Sequence, residues 1–187
     1  MSRMSLRYHA QDENGRLNSM DELIDIYDEN RNRTGETVPR EGAFMKEGQY
    51  MLYVLAIVQD LQGRYLITQR ALDKGWGAGW WEVTGGGVLS GETSTQAVVR
   101  EVREEVGLDV SGLPLVPVYS YKNVDAERGD NYIVDIYRFE LDVDESAVTL
   151  QDSEAIGCKF ATWDQICALA DQGIFLHFER LRKALQA

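Results

Sequence analysis

Residues 86–108 read GGVLSGETSTQAVVREVREEVGL: a glycine-rich entry, a capped helix and a glycine stop. Thr93 and Gln96 stand in the S/T-x-x-E/Q spacing of a capping box, so the spacing predicts a helix with its N-cap at Thr93. Gly107 is the natural stop beyond Val106. At about 100° per residue, Val99, Val102 and Val106 fall on one stripe, the face expected to bury. Glu101, Glu104 and Glu105 gather on the opposite side of the cylinder together with Ala97, and Arg100 lies at the edge of that acidic face.

Three carboxylates so close together repel, by roughly 0.2–0.5 kcal/mol for each i,i+4 pair in an isolated helix. A solvated acidic face is one explanation, since glutamate-rich surface helices are common. A bound cation is the other. Carboxylate oxygens without thiolate or imidazole neighbours suit a hard ion, Mg²⁺ or Mn²⁺, better than zinc, and Ala97 is expected to leave room for it. The segment before the helix favours the second explanation. Gly85-Gly86-Gly87 is a backbone free to adopt positive φ and to approach a ligand closely. No Gly-Lys-Ser/Thr follows it, so it is not a P-loop.

Working outward, residues 1–20 read as a polar N-terminal tail and residues 21–44 as a β-hairpin extension. The hairpin would comprise Leu23–Tyr27, a turn over Asp28–Gly35 and a return strand Glu36–Val38. Residues 45–187 form the main domain. Strands are expected over Tyr50–Val58 and Arg64–Arg70, followed by a glycine- and tryptophan-rich loop from Lys74 to Trp81. After the central helix come strands Leu115–Tyr121, Tyr132–Leu141 and Ile156–Ala161, then helices Trp163–Asp171 and Phe175–Leu185. This order predicts an α/β fold with helices on the faces of a mixed sheet.

The chain has 187 residues and a formal charge of −12, from 31 acidic against 19 basic side chains. That balance argues against a protein that tracks nucleic-acid phosphates, while a divalent cation can still bring a small phosphorylated ligand to an acidic protein. No apolar run approaches a membrane span and no secretory signal is expected. Cys158 and Cys167 read as thiols in a reducing compartment, so a cytoplasmic protein is the expectation.

Taken together, the chain reads Gly86, five residues, Glu92, seven residues, then Arg100-Glu101-Val102-Arg103-Glu104-Glu105-Val106-Gly107-Leu108. This resembles the Nudix box, G-x5-E-x7-R-E-U-x-E-E-x-G-U with U aliphatic, and all fixed positions match. The resemblance implies an α/β/α sandwich and Mg²⁺- or Mn²⁺-dependent hydrolysis of a diphosphate linkage in a nucleoside diphosphate joined to another group X. It implies metal ligation by Glu101, Glu104 and Glu105, with Glu92 and Gly86 supporting the cluster and the loop. It also implies that Arg100 orients a box carboxylate and that a homodimer forms. A further carboxylate often completes such sites; Glu154 is the candidate, with Glu140 and Asp152 as competitors.

Trp80-Trp81-Glu82-Val83-Thr84-Gly85-Gly86-Gly87 and the preceding hairpin resemble the branch related to isopentenyl-diphosphate isomerase. The isomerase's catalytic cysteine and histidine ligands are missing, since no cysteine precedes Cys158 and the histidines are His9 and His177. For substrate contacts, Arg70 is placed to meet a phosphate, with a surface ion pair as the alternative. Gly86 and Gly87 offer close backbone approach. Trp76, Trp80 and Trp81 are candidates to stack a base, with Tyr119 and Tyr121 lining the same cleft; the alternative is a place in the core and cleft wall. His177 reads as structural. A catalytically silent Nudix domain that senses a nucleotide or diphosphate is the other functional reading; the intact box favours the hydrolase.

Overall fold

Alternating burial along the longest strands organises the molecule. The computed structural model describes residues 22–187, so the tail expected over 1–20 lies outside the described residues. Strand β3 (Met51–Asp60) turns Val54, Ala56 and Val58 to one face of the sheet and Ile57 to the other, all almost fully buried. β8 (Tyr132–Leu141) runs parallel to it over its whole length. A parallel pair covered on both faces explains why both strands read as apolar runs. β4 (Tyr65–Arg70), β5 (Trp81–Glu82), β6 (Thr84–Gly87), β7 (Tyr119–Asn123) and β9 (Ala155–Ala161) complete a seven-stranded mixed sheet.

Helix α1 (Ser94–Val106) covers the first face through Val98, Val102 and Val106. Helices α2 (Trp163–Asp171) and α3 (Phe178–Ala184) cover the other, through Ile166 and Leu181 with Phe175 between them. The result is the expected α/β/α sandwich. Thr93 closes a reciprocal capping box with Gln96, and Gly107 ends α1 in the left-handed region at φ 73°. Among the described residues no helix is long and apolar enough to cross a membrane, and Cys158 and Cys167 are free thiols.

Several boundaries depart from expectation. The strand expected from Leu115 begins at Tyr119, because Pro114 and Pro117 deny the ladder its N–H donors. The terminal helix expected from Phe175 begins at Phe178. Ile174 and Leu176 instead hydrogen-bond the backbone of Trp81, and His177 turns the chain at φ 57°. The triple glycine is not a loop of positive φ but strand β6, antiparallel to β3. α1 also carries its acidic residues differently from the helical-wheel expectation. Ala97 and Glu101 are buried rather than opposite the core, and Val98, not Val99, completes the fully buried stripe.

The N-terminal hairpin joins β1 (Leu23–Tyr27) to β2 (Arg33–Pro39), a longer return strand than the turn residues predicted. It shares a small core of Ile24, Ile26, Met45 and Met51 with the start of β3. Its polar groups grip the loop ahead of α1. Asp25, only 8% exposed, accepts from Ser90 Oγ at 2.7 Å and Gly91 N at 3.0 Å and forms an ion pair with Arg33 Nε at 3.1 Å. Arg33 Nη2 donates to the Glu92 carbonyl, and Ser90 N to the Leu23 carbonyl at 2.7 Å. Farther along, Asp135 on β8, 1% exposed, accepts from Arg31, Ser94 and Ser120. Asp25→Ala strands these donors in a buried seam. The expected cost is about 2 kcal/mol in urea unfolding, with faster amide exchange at Ser90 and Gly91 than in the wild type.

Candidate active site

Gly85 and Gly86 decide how closely α1 can lie against the sheet. A Cβ on Gly86 would collide with the Glu101 carboxylate, and one on Gly85 with the Val54 carbonyl. The run of glycines in β6 therefore leaves room for a carboxylate between helix and sheet. Glu101 occupies it at 6% exposure, and Glu105 reaches past it to accept from Gly85 N at 3.1 Å. Glu104 points outward, its side chain 51% exposed.

Arg100 ties this arrangement together. Its Nε and Nη2 grip Glu92 at 2.7 and 2.9 Å, Nη1 meets Glu101 at 2.8 Å and Glu104 at 3.2 Å, and Nη2 also reaches the Gly87 carbonyl at 2.9 Å. Burial opposes its charge, but Glu92 and Glu101 hold the guanidinium above its ordinary range. Glu92 in turn accepts from Leu89 N at 2.9 Å, which closes the loop before the helix. The bidentate fork orients both the loop and the helix.

Glu105 has no comparable partner. Its carboxyl group lies inward, and among the described residues Gly85 alone donates a hydrogen bond to it. Burial pushes this carboxyl well above the ordinary carboxylate range; nearby Glu101, Glu82 and Glu154 push it further, against the Gly85 amide. Burial likewise raises Glu101 and Glu82. Glu154, placed just before β9, is close enough to Glu82 and Glu105 to act on both, whereas its competitors Glu140 and Asp152 are exposed. Two cations offset part of this charge: Arg70 pairs with Glu82 at 2.7 Å and Lys74 with Glu154 at 2.6 Å.

Among the described residues no three acidic, histidine or cysteine groups converge as a ready-made ligand set. Arg100, Arg70 and Lys74 draw individual carboxylates toward themselves. The donor chemistry nonetheless fits a hard divalent cation. The site offers oxygen ligands only, carries an excess of buried negative charge, and includes one carboxyl without a counter-ion.

Beside these acids lies a cleft of about 550 Å³. Tyr53, Tyr121 and Tyr132 pack edge to face on its floor, with ring centroids 5.8 and 6.3 Å apart. Arg40, Arg70, Trp76 and His177 form its rim, and Gly85, Gly86 and Glu82 face into it. Of the expected substrate contacts, Arg70 and Gly86 are in the cleft lining. Gly87 sits against Arg40. Trp80 stands behind Trp76 at 6.5 Å, and Trp81 packs under Lys159, so Trp76 is the tryptophan presented to the cleft. His177, expected to be structural within the terminal helix, instead precedes that helix and belongs to the lining. Burial, with Arg70 and Arg180 nearby, depresses its pKa.

Sequence reasoning missed Glu82, Arg40, Tyr53 and Tyr132; of the two tyrosines expected in the cleft, Tyr121 lines it and Tyr119 does not. Glu82 carried a signal, a lone acid between tryptophans and glycines. Arg40 carried none, because its place depends on the hairpin folding back onto the sheet.

The family model of the NUDIX domain matches residues 49–182. The uncharacterized Nudix hydrolase lmo0368 of Listeria monocytogenes is 34% identical over 157 residues, covering 82% of this chain and 88% of that protein. The isopentenyl-diphosphate Delta-isomerase of Cutibacterium acnes is 32% identical over 110 residues, covering 57% of this chain and 55% of that one. The crystal structure of DR0079 from Deinococcus radiodurans has the same fold, with a TM-score of 0.65 at 24% identity over 80% of this chain and 90% of that one. With the box carried on α1 and the domain matched over most of its length, this chain belongs to the Nudix hydrolase family.

Proposed function

We propose that the protein hydrolyses a diphosphate linkage in a nucleoside diphosphate joined to a second group, or in a related diphosphate. Mg²⁺, or Mn²⁺ in its place, would be held by Glu101, Glu104 and Glu105. The observation that carries this reading is the buried Glu105 carboxyl, without a cation partner among the described residues, hydrogen-bonded to a glycine of the strand that lines an open cleft. Carboxylates so placed are stable as a group only when something supplies positive charge.

A divalent ion held by Glu101, Glu104 and Glu105 would supply positive charge to the diphosphate and to the oxygens that attack and leave. The protein's own groups do the rest. Arg100 and Glu92 fix the helix against the loop, so the acids cannot drift from the strand. Glu105, once ionised, and Glu154 would offer carboxylate oxygens to an attacking water. Arg70 and the backbone of Gly85–Gly86 face the phosphates, and Trp76 and the tyrosine floor offer apolar surface to the group attached. Such contacts accelerate the reaction only as far as they strengthen on the way to the transition state.

The paired aromatics and the hairpin resemble the isomerase branch, but the isomerisation itself does not follow. Cys158 sits on β9 opposite Thr68, and no cysteine precedes it in the chain. The homodimer implied by the family resemblance belongs to this proposal and is read by light scattering.

The test is a panel of nucleoside triphosphates, nucleotide sugars, ADP-ribose and isopentenyl diphosphate with Mg²⁺ or Mn²⁺, scored by which bond breaks. Turnover should vanish with a chelator. Glu105→Gln should lower it by about a hundredfold or more. Retained turnover in that variant sinks the assignment of Glu105.

The same residue sets a pH dependence. Its folded-state pKa lies above the unfolded value, so between the two the folded chain binds more protons and stability falls as pH rises. In chelator, the wild-type Tm should therefore decline as pH is raised above the ordinary carboxylate range, and Glu105→Gln should flatten the decline. Mg²⁺ should restore wild-type stability at the higher pH by binding the ionised form.

A further inference from the structure

The hairpin that precedes the family domain contributes a cation to the cleft. Arg40 follows directly on β2, outside the matched residues 49–182. Its guanidinium lies over Gly87, where an added Cβ would come within 3.2 Å of Nε. Neighbouring residues of a strand face opposite sides. A Cβ on Gly86 would point at Glu101 and one on Gly87 at Arg40, so the buried acid and the guanidinium flank β6 from its two sides.

Arg40 is also the less committed of the two guanidinium groups on the rim. Arg70 is held by Glu82 at 2.7 Å and by the Trp76 carbonyl at 3.2 Å. Among the described residues Arg40 makes one side-chain bond, Nη1 to Glu22 Oε2 at 2.8 Å, which leaves most of its five donors available. Its side chain is 36% exposed and belongs to the cleft lining. The protein carries a net charge of −12, and Glu82 and Asp130 also line the cleft, so an anionic substrate entering it needs the positive charge that Arg40 and Arg70 supply. A planar fork at Gly87, opposite Arg70, matches the oxygen pairs of a diphosphate.

We infer that Arg40 is a substrate-binding residue that holds the diphosphate on the cleft side of β6. The N-terminal hairpin is thus part of the active site and not an accessory. This rests on the diphosphate reading above. The remaining contacts explain how the hairpin places the residue: Asp25, Arg33 and Leu23 clamp the loop Ser90–Glu92 and fix the hairpin's position relative to the glycine strand.

The experiment is calorimetric titration of the full chain with methylenediphosphonate, a diphosphate that cannot be hydrolysed, in the presence of Mg²⁺. Wild type, Arg40→Gln, Arg40→Lys and Glu22→Gln are compared, with the Tm of each as a folding control. Arg40→Gln should weaken binding about tenfold or more, with Arg40→Lys weakened less, as expected for loss of a charged fork. Glu22→Gln breaks the same ion pair but keeps the guanidinium, and should bind within about twofold of wild type. Equal affinity of Arg40→Gln and wild type overturns the proposal. So does an equal loss in Glu22→Gln, which would make the ion pair, not the phosphate contact, the cause. If wild type itself takes up none of the probe, the diphosphate reading falls and this proposal falls with it.

Discussion

A helix that carries ionisable groups on a buried face needs a surface able to receive them, and β6 is that surface. Any side chain at Gly86 would fill the space taken by the Glu101 carboxylate. With glycine there, α1 packs close, Glu101 becomes buried, and Glu105 hydrogen-bonds across the strand to Gly85. The electrostatic consequences follow. Burial raises the acids, Arg100 compensates those within its reach, and Glu105 is left with a proton or a cation as its means of neutralisation. The glycines are thus needed for absent volume rather than for unusual backbone angles.

Around that contact the molecule is braced from two directions. Arg100 and Glu92 hold the helix to its preceding loop from within the box, and the hairpin holds the same loop from outside through Asp25 and Arg33. The buried Asp135 ties hairpin, helix and sheet together, joined to Arg31 at 2.6 Å, Ser94 at 2.6 Å and Ser120 at 2.6 Å. Each is a polar contact in a place where an unmade bond costs its full desolvation, so each fixes geometry more than it adds stability.

Legibility in the sequence followed the range of the interactions. The capping box at Thr93, the stop at Gly107 and the apolar strands β3 and β8 depend on neighbours in the chain or on simple periodicity, and they read correctly. The orientation of α1 did not. A helical wheel assumes that charge faces water, an assumption that fails where a run of glycines admits carboxylates into the interior. The late start of α3 was equally hidden, because Ile174 and Leu176 pair with Trp81, far away in the chain. Trp76 rather than Trp80 reaches the cleft for a reason of the same kind, the path of one loop against His177.

What the sequence alone determined is the family, the sandwich and the identity of the acids on α1, since a fixed spacing of residue types survives without knowledge of distant contacts. The tertiary structure decided which of those acids are buried and which is exposed, that Glu82 and Glu154 join them, and that Arg40 and three tyrosines line the cleft beside them. Those outcomes depend on elements remote in sequence meeting at one strand. Burial, the chief cause of the raised pKa values there, is a property of what surrounds a residue and is not written in its own position.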